Sequence, residues 1–140
     1  MGSVELVLRT EGSFRRLYAR KRLHAHYRDD PELRQMFVEE ARLAGLLLHP
    51  NVIGVLDVGQ DEEGPFLVMD FVEGVSVSAL IADVRARADL LPLGVCVEVA
   101  KQTALALAAA HELRDVDGKR LRLVHRDVSP QNVLVDYDGV

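Results

Sequence analysis

The sequence predicts an α+β chain, with strands gathered in its first half and helices in its second. Three patterns carry that prediction. From Leu17 to Leu23 the residues alternate with period two, Leu17, Ala19, Lys21 and Leu23 on one face and Tyr18, Arg20 and Arg22 on the other. From Leu33 to Leu47 apolar residues recur at helical spacing. From Leu93 to Leu113 they do so on almost every side, which marks a helix built for burial. At 140 residues the chain fits one domain, and 49% hydrophobic with 28% charged residues is an ordinary globular composition. A net charge of -5 argues against a dedicated nucleic-acid binder, which would carry a basic patch. No apolar run approaches the ~18 residues of a membrane span, so none is expected. The single cysteine, Cys96, sits among valines and reads as a core residue in a reducing cytoplasm.

Taken in order, Val4 to Leu8 and Phe14 to Leu23 form a hairpin turning at Thr10-Glu11-Gly12-Ser13. Arg20 and Arg22 are solvated on its outer face, whereas Lys21 is a cation on the face that should be buried. Asp30 is a good N-cap and Pro31 suits the first helical position. The stripe that follows is Leu33, Met36, Phe37, Ala44 and Leu47, with Leu43 close by, and Glu40 falls inside it. A carboxylate there is costly to bury unless a cation meets it, and Lys21 is the candidate. The alternative is that both side chains reach water from the rim of the core. Pro50 stops the helix, Val52 to Val58 is a strand, Gln60 to Gly64 a turn and Pro65 to Met69 a second strand. Asp115-Val116-Asp117-Gly118 lacks the acidic twelfth position of a calcium loop and reads as a tight turn. His24, His26 and His49 have no metal-ligand spacing, and His111 is a packing residue at a helix end.

The chemistry concentrates in His125-Arg126-Asp127-Val128-Ser129-Pro130-Gln131-Asn132, followed by Val133-Leu134-Val135. A carboxylate, Asp127, and an amide, Asn132, stand on a proline-stiffened loop that runs into a β-branched strand. The acid can take a proton from an attacking hydroxyl while the amide oxygen holds a magnesium ion. The bland reading is a polar turn before a strand. The run resembles the catalytic loop of eukaryotic-type protein kinases, H-R-D-x-x-x-x-N. Tyr18-Ala19-Arg20-Lys21 is similar to the V-A-x-K of the third kinase strand, and Glu40-Ala41 to the Glu-Ala of helix C. Gly2-Ser3-Val4 resembles the end of the glycine-rich loop, and Asp70 to Gly74 the hinge between lobes.

This resemblance implies a kinase-like fold over residues 1–140: a small lobe of antiparallel sheet plus helix C at 1–69, a hinge at 70–75, and a truncated, mostly helical large lobe at 76–140. It implies ATP and Mg²⁺ as cofactors and a protein substrate with a serine or threonine acceptor. Asp127 would be the base, Lys21, kept extended by Glu40, would bind the α- and β-phosphates, and Asn132 would hold the metal. Gly2, Val4, Ala19, Met69 as gatekeeper, Asp70, Val72, Ser76, Gln131 and Leu134 complete the nucleotide site that it implies. His125 would support the loop, and Arg126 would meet a phosphorylated activation segment. Ser129 stands where serine/threonine kinases usually carry a lysine, and Val-Ser-Pro-Gln-Asn is similar to loops of some bacterial serine/threonine kinases. No D-F-G follows Val133-Leu134-Val135, and two glycines of the loop are absent, so the expectation is a piece of a cytoplasmic bacterial kinase, inactive by itself. The competing expectation is a non-catalytic remnant that binds nucleotide or a partner.

Overall fold

The computed structural model describes residues 2–27 and 29–139. They form two compact units, Met1–Leu48 with Val52–Phe71, and His49–Asn51 with Val72–Val140. The division after Phe71 falls inside the 70–75 segment read as a hinge.

The first unit is an antiparallel sheet of β1 (Gly2–Glu11), β2 (Phe14–Leu23), β3 (Val55–Asp61) and β4 (Gly64–Asp70), in the order β1-β2-β4-β3. Between β1 and β2 the chain turns at Gly12, whose φ of 60° suits a residue without Cβ. The strand expected at Val52–Val58 begins later, at Val55, because Asn51 and Val52 are still turning and the Gly54 carbonyl accepts from Asp70 N–H. Helix α1 (Pro31–Gly45) starts as its sequence dictates, with the Asp30 carboxylate accepting from the amides of Glu32 and Leu33. It packs Phe37 and Ala41 against Leu23 and Leu67 of the sheet, with Val38, Val55, Val58 and Met69 around them.

That packing corrects the expected stripe. Met36 is 61% exposed, and Glu40, one turn on, is exposed as well. The helix is turned so that the bulky Phe37 and the small Ala41 meet the strands, which lets the backbone approach closely.

Arg22 is the second correction. It was read as solvated, yet it is 5% exposed and lies on the sheet face opposite α1. The Phe66 ring lies over Gly59, where a methyl would collide with it, and the guanidinia of Arg20 and Arg22 stack above that ring at 5.6 and 5.0 Å. Arg22 Nη1 donates to Asp61 Oδ1 at 2.8 Å, and Nε donates to Glu5 Oε1 at 3.0 Å. Removing the Phe66 ring would open this group to water.

The second unit begins with β5 (Gly74–Ser76), paired antiparallel to β6 (Leu134–Asp136), and holds α2 (Val77–Ala86) and α3 (Leu93–Glu112). A methyl at Gly74 would be driven into the Val135 carbonyl and to 2.6 Å from Asp136 Cα. Gly74→Ala should therefore push β5 from β6 and destabilise by about 1–3 kcal/mol, read from a urea titration. The turn at Asp115 forms as expected, its carboxylate accepting from the amides of Asp117 and Lys119 with Gly118 at φ 78°.

Helix α3 departs from expectation in its surroundings. Of its residues only Ala110 is buried; Cys96 and His111 are exposed rather than packed. No described segment covers the turns that carry them. By length and composition alone, α3 is also apolar enough to cross a membrane, with a mean hydropathy of 1.4 over an 18-residue window. Glu98 and Lys101 interrupt the apolar run, and core helices of soluble proteins meet the same criterion.

Candidate active site

In the first unit the strand register collects one group of predicted residues. Val4 lies opposite Lys21, Leu6 opposite Ala19, Ala19 opposite Met69, and Lys21 opposite the buried Leu67. Paired residues point to the same face, so Val4, Ala19, Lys21 and Met69 all lie on the face that carries α1. Gly2 ends this row. A side chain there would strike the Arg22 carbonyl, and the Lys21 Cε passes 3.6 Å from where its Cβ would stand. The lysine stem thus runs along the sheet toward the start of β1.

Glu40 does not join it. No ion pair links Lys21 to Glu40 among the described residues, for the reason given above: α1 presents Phe37 and Ala41 to the sheet and leaves Glu40 at the rim. Glu40 is exposed and Lys21 half-buried, as side chains that reach water from the rim of a core are. Asp70, at the end of β4, is fixed twice. Its amide donates to the Gly54 carbonyl at 3.0 Å, and its carboxylate accepts from Arg16 Nη2 at 2.8 Å.

The second unit builds the other group around the loop 125–132. Ser76 caps α2, its Oγ accepting from Ala79 N–H at 3.1 Å. The next two amides of that helix end grip the loop and the strand after it: Val77 N–H donates to the Val133 carbonyl at 2.9 Å, Ser78 N–H to the Pro130 carbonyl at 2.8 Å. Leu134 lies opposite Ser76 across β5 and β6. Val72 is half-buried in the segment before β5, and Gln131 is exposed on the loop turn.

Within the loop, the Asn132 amide donates to the Asp127 carboxylate at 2.8 Å and to the Asp127 carbonyl at 3.1 Å. Asn132 N–H closes the turn on the Ser129 carbonyl at 2.9 Å, and Asp127 N–H donates to His125 Nδ1 at 3.3 Å. The histidine supports the backbone of the acid. Arg126 between them holds φ 64°, a left-handed conformation that L-residues adopt at a cost and that gathers at functional sites. Ser129 Oγ is buried and has no hydrogen-bond partner. Neither feature is legible in the residue pattern, because the strained backbone follows from closing the turn and the orphaned hydroxyl from what packs around it.

This arrangement has two chemical consequences. The Asp127 carboxylate is exposed, oriented by one amide and open on its second oxygen, as an acceptor of a hydroxyl proton must be. The Asn132 side chain spends both N–H bonds on Asp127, so its oxygen is left to meet a hard cation, for which an amide oxygen is a suitable donor. Among the described residues no group of three or more His, Cys, Asp or Glu could hold a metal by itself. Phosphate oxygens and further ligands would complete the shell.

Residues 1–140 match the family model described as "Protein kinase domain". The chain is similar to "Tyrosine-protein kinase MasK" of Myxococcus xanthus, 33% identical over 126 residues that make up 90% of this chain and 20% of that protein. It is similar to "Serine/threonine-protein kinase PrkC" of Bacillus subtilis, 32% identical over 119 residues, 85% of this chain and 16% of PrkC. Similarity to "Serine/threonine-protein kinase PknL" of Mycobacterium tuberculosis is 36% over 121 residues, 86% of this chain and 27% of PknL. The crystal structure of the Mycobacterium tuberculosis PknI kinase domain superposes with a TM-score of 0.74 at 32% identity, over 97% of this chain and 51% of that one. The chain thus spans about half of that solved kinase domain and about a quarter or less of the curated relatives.

Proposed function

We propose that this chain, which belongs to the protein kinase domain family, supplies nucleotide-binding strands and the catalytic loop to an enzyme that moves the γ-phosphoryl group of ATP to serine and threonine hydroxyls of proteins. One observation carries the reading: the Asp127 carboxylate is held by the Asn132 amide on a loop anchored to the start of α2. In the reaction, the acceptor oxygen forms a bond to the γ-phosphorus. The bond from phosphorus to the bridging oxygen breaks, and its electron pair leaves with ADP. Asp127 positions the acceptor hydroxyl and takes its proton.

Lys21 brings a positive charge to the α- and β-phosphates from the face of the sheet that carries α1, beside the close backbone approach at Gly2. Ala19, Met69 and Val4 offer an apolar bed for the adenine, with the Asp70 backbone at its edge. The Asn132 oxygen would hold Mg²⁺ from this chain, and the metal would supply charge neutralisation at the transferring group. Formation of the Lys21–Glu40 pair belongs to the active arrangement of kinases, so α1 must turn Glu40 inward before transfer. ATP supply places this chemistry in the cytoplasm.

Serine/threonine specificity is supported by the absence of the arginine-rich tyrosine-kinase loop and by the names of PrkC and PknL; MasK is named a tyrosine kinase. Phosphoamino-acid analysis, after the full-length protein that carries this chain has acted on a mixed serine, threonine and tyrosine peptide pool, tests it. Label on serine and threonine supports the assignment; label on tyrosine alone overturns it. A second reading, a module that binds nucleotide or a partner without catalysis, is favoured by the unpaired Lys21 and Glu40.

A further inference from the structure

We propose that Arg16 is a positioning residue for the adenine end of the nucleotide, acting through the Asp70 carboxylate; this rests on the nucleotide-binding part of the reading above. Asp70 is the last residue of β4, and its backbone stands at the edge of the apolar bed of Val4, Ala19 and Met69. Strand alternation puts the Met69 side chain on the face that carries α1 and the Asp70 side chain on the opposite face. A contact that holds the Asp70 side chain there also sets the rotation of its backbone about the strand. The β2–β4 ladder closes with Tyr18 opposite Asp70, so no further pairing with β2 fixes the chain beyond that point. Arg16 lies outside the ladder, paired with Arg9 of β1. From there its guanidinium passes 5.3 Å from the centre of the Tyr18 ring, and its Nη2 donates to Asp70 Oδ1 at 2.8 Å.

The other flank of β4 is fitted as closely. A methyl at Gly54, just before β3, would stand 2.8 Å from Asp70 Oδ2, and the Gly54 carbonyl accepts from the Asp70 amide at 3.0 Å. Gly54 therefore leaves room for the carboxylate on the β3 side, and Arg16 holds it from the β2 side. Exposed ion pairs add little to stability, because water competes for both charges. Arg16 and Asp70 are such a pair, with side chains 55% and 37% exposed. Their contact matters for where the end of β4 stands, not for whether the chain folds. A backbone placed in advance spares the bound nucleotide the cost of ordering it. Arg16 itself lies on the face away from the adenine bed and touches no part of the nucleotide.

The test is calorimetric titration of the full-length protein that carries this chain with ATP and with adenosine, beside steady-state kinetics and thermal melting. Arg16→Ala and Arg16→Lys are compared with the parent. Adenosine carries no phosphate, so its affinity reports the adenine end free of any change in the protein's charge. For Arg16→Ala the expected result is a roughly threefold weakening of both ligands by the same factor, the size that one exposed ion pair can exert. KM for ATP should rise in step, with kcat at saturating ATP and the melting temperature unchanged. Arg16→Lys should restore most of the affinity, because the contact runs from one nitrogen to one oxygen and an ammonium can replace it. An unchanged adenosine affinity in Arg16→Ala overturns the proposal, whether or not ATP is weakened, since weakening of ATP alone is an effect of charge on the phosphates. A loss of affinity matched by a lowered melting temperature also overturns it and makes Arg16 structural. A parent that binds neither ATP nor adenosine would instead overturn the nucleotide-binding reading.

Discussion

Asp127→Asn is expected to lower phosphotransfer by about 10²–10⁴-fold while leaving ATP affinity near that of the parent. The substitution is nearly isosteric, and the new amide oxygen can still accept from Asn132, which now reaches the carboxylate at 2.8 Å. The loop should stay closed, with its anchors at Ser78 and His125 in place. What disappears is a group able to receive the acceptor's proton. The loss belongs in kcat, because Asp127 meets the acceptor hydroxyl and not the nucleotide's binding determinants. Kinetics with saturating peptide, beside calorimetric titration with a non-hydrolysable ATP analogue, check both halves. A rate within tenfold of the parent would mean that Asp127 is not the base.

The largest effect on stability is expected at Arg22. Arg22→Met should lower stability, since it strips the carboxylates of Asp61 and Glu5 of their guanidinium partner, though both acids stay partly wet. The guanidinium lies 5.0 Å from the Phe66 ring centre, its Nε donates to Glu5, and its fork meets both oxygens of Asp61. Arg22→Lys should recover only part of the loss, because an ammonium offers no fork.

The same contact sets a pH dependence. Chiefly through its hydrogen bonds to Arg22, Asp61 is lowered from 3.8 to about 2, and Glu5 is lowered through Arg20 and then Arg22. A carboxylate with a depressed pKa stabilises the fold fully above its unfolded value. That stabilisation is lost as pH falls through the folded one, here between about pH 4 and pH 2. Urea denaturation at pH 7 and at pH 3 should therefore show the gap between parent and Arg22→Met narrowing on acidification. A gap independent of pH would place the cost in lost packing against Phe66 alone.

What could be read in advance is what short stretches encode. The β1–β2 hairpin, the Asp30 cap, the Asp115 turn and the loop from His125 to Asn132 each rest on residues within a few positions of one another. What could not be read needs a third dimension. Arg22 and Arg20 look alike in the strand pattern, yet only Arg22 sits under the acids of the β3–β4 turn. Met36 and Phe37 are equally apolar, and the choice between them as the buried residue decides where Glu40 faces. Cys96 follows the same logic, since a run of valines predicts burial only where something packs on it.

Labelled γ-phosphate shows whether the Asp127–Asn132 loop serves transfer and not binding alone. The full-length protein would be incubated with γ-labelled ATP and a protein acceptor, with Mg²⁺ and again with the metal chelated, and label on the acceptor counted over time. The expected result is Mg²⁺-dependent label on the acceptor at many turnovers per enzyme. Nucleotide that binds without any label moving above background, in the presence of Mg²⁺, would contradict it and leave a binding module.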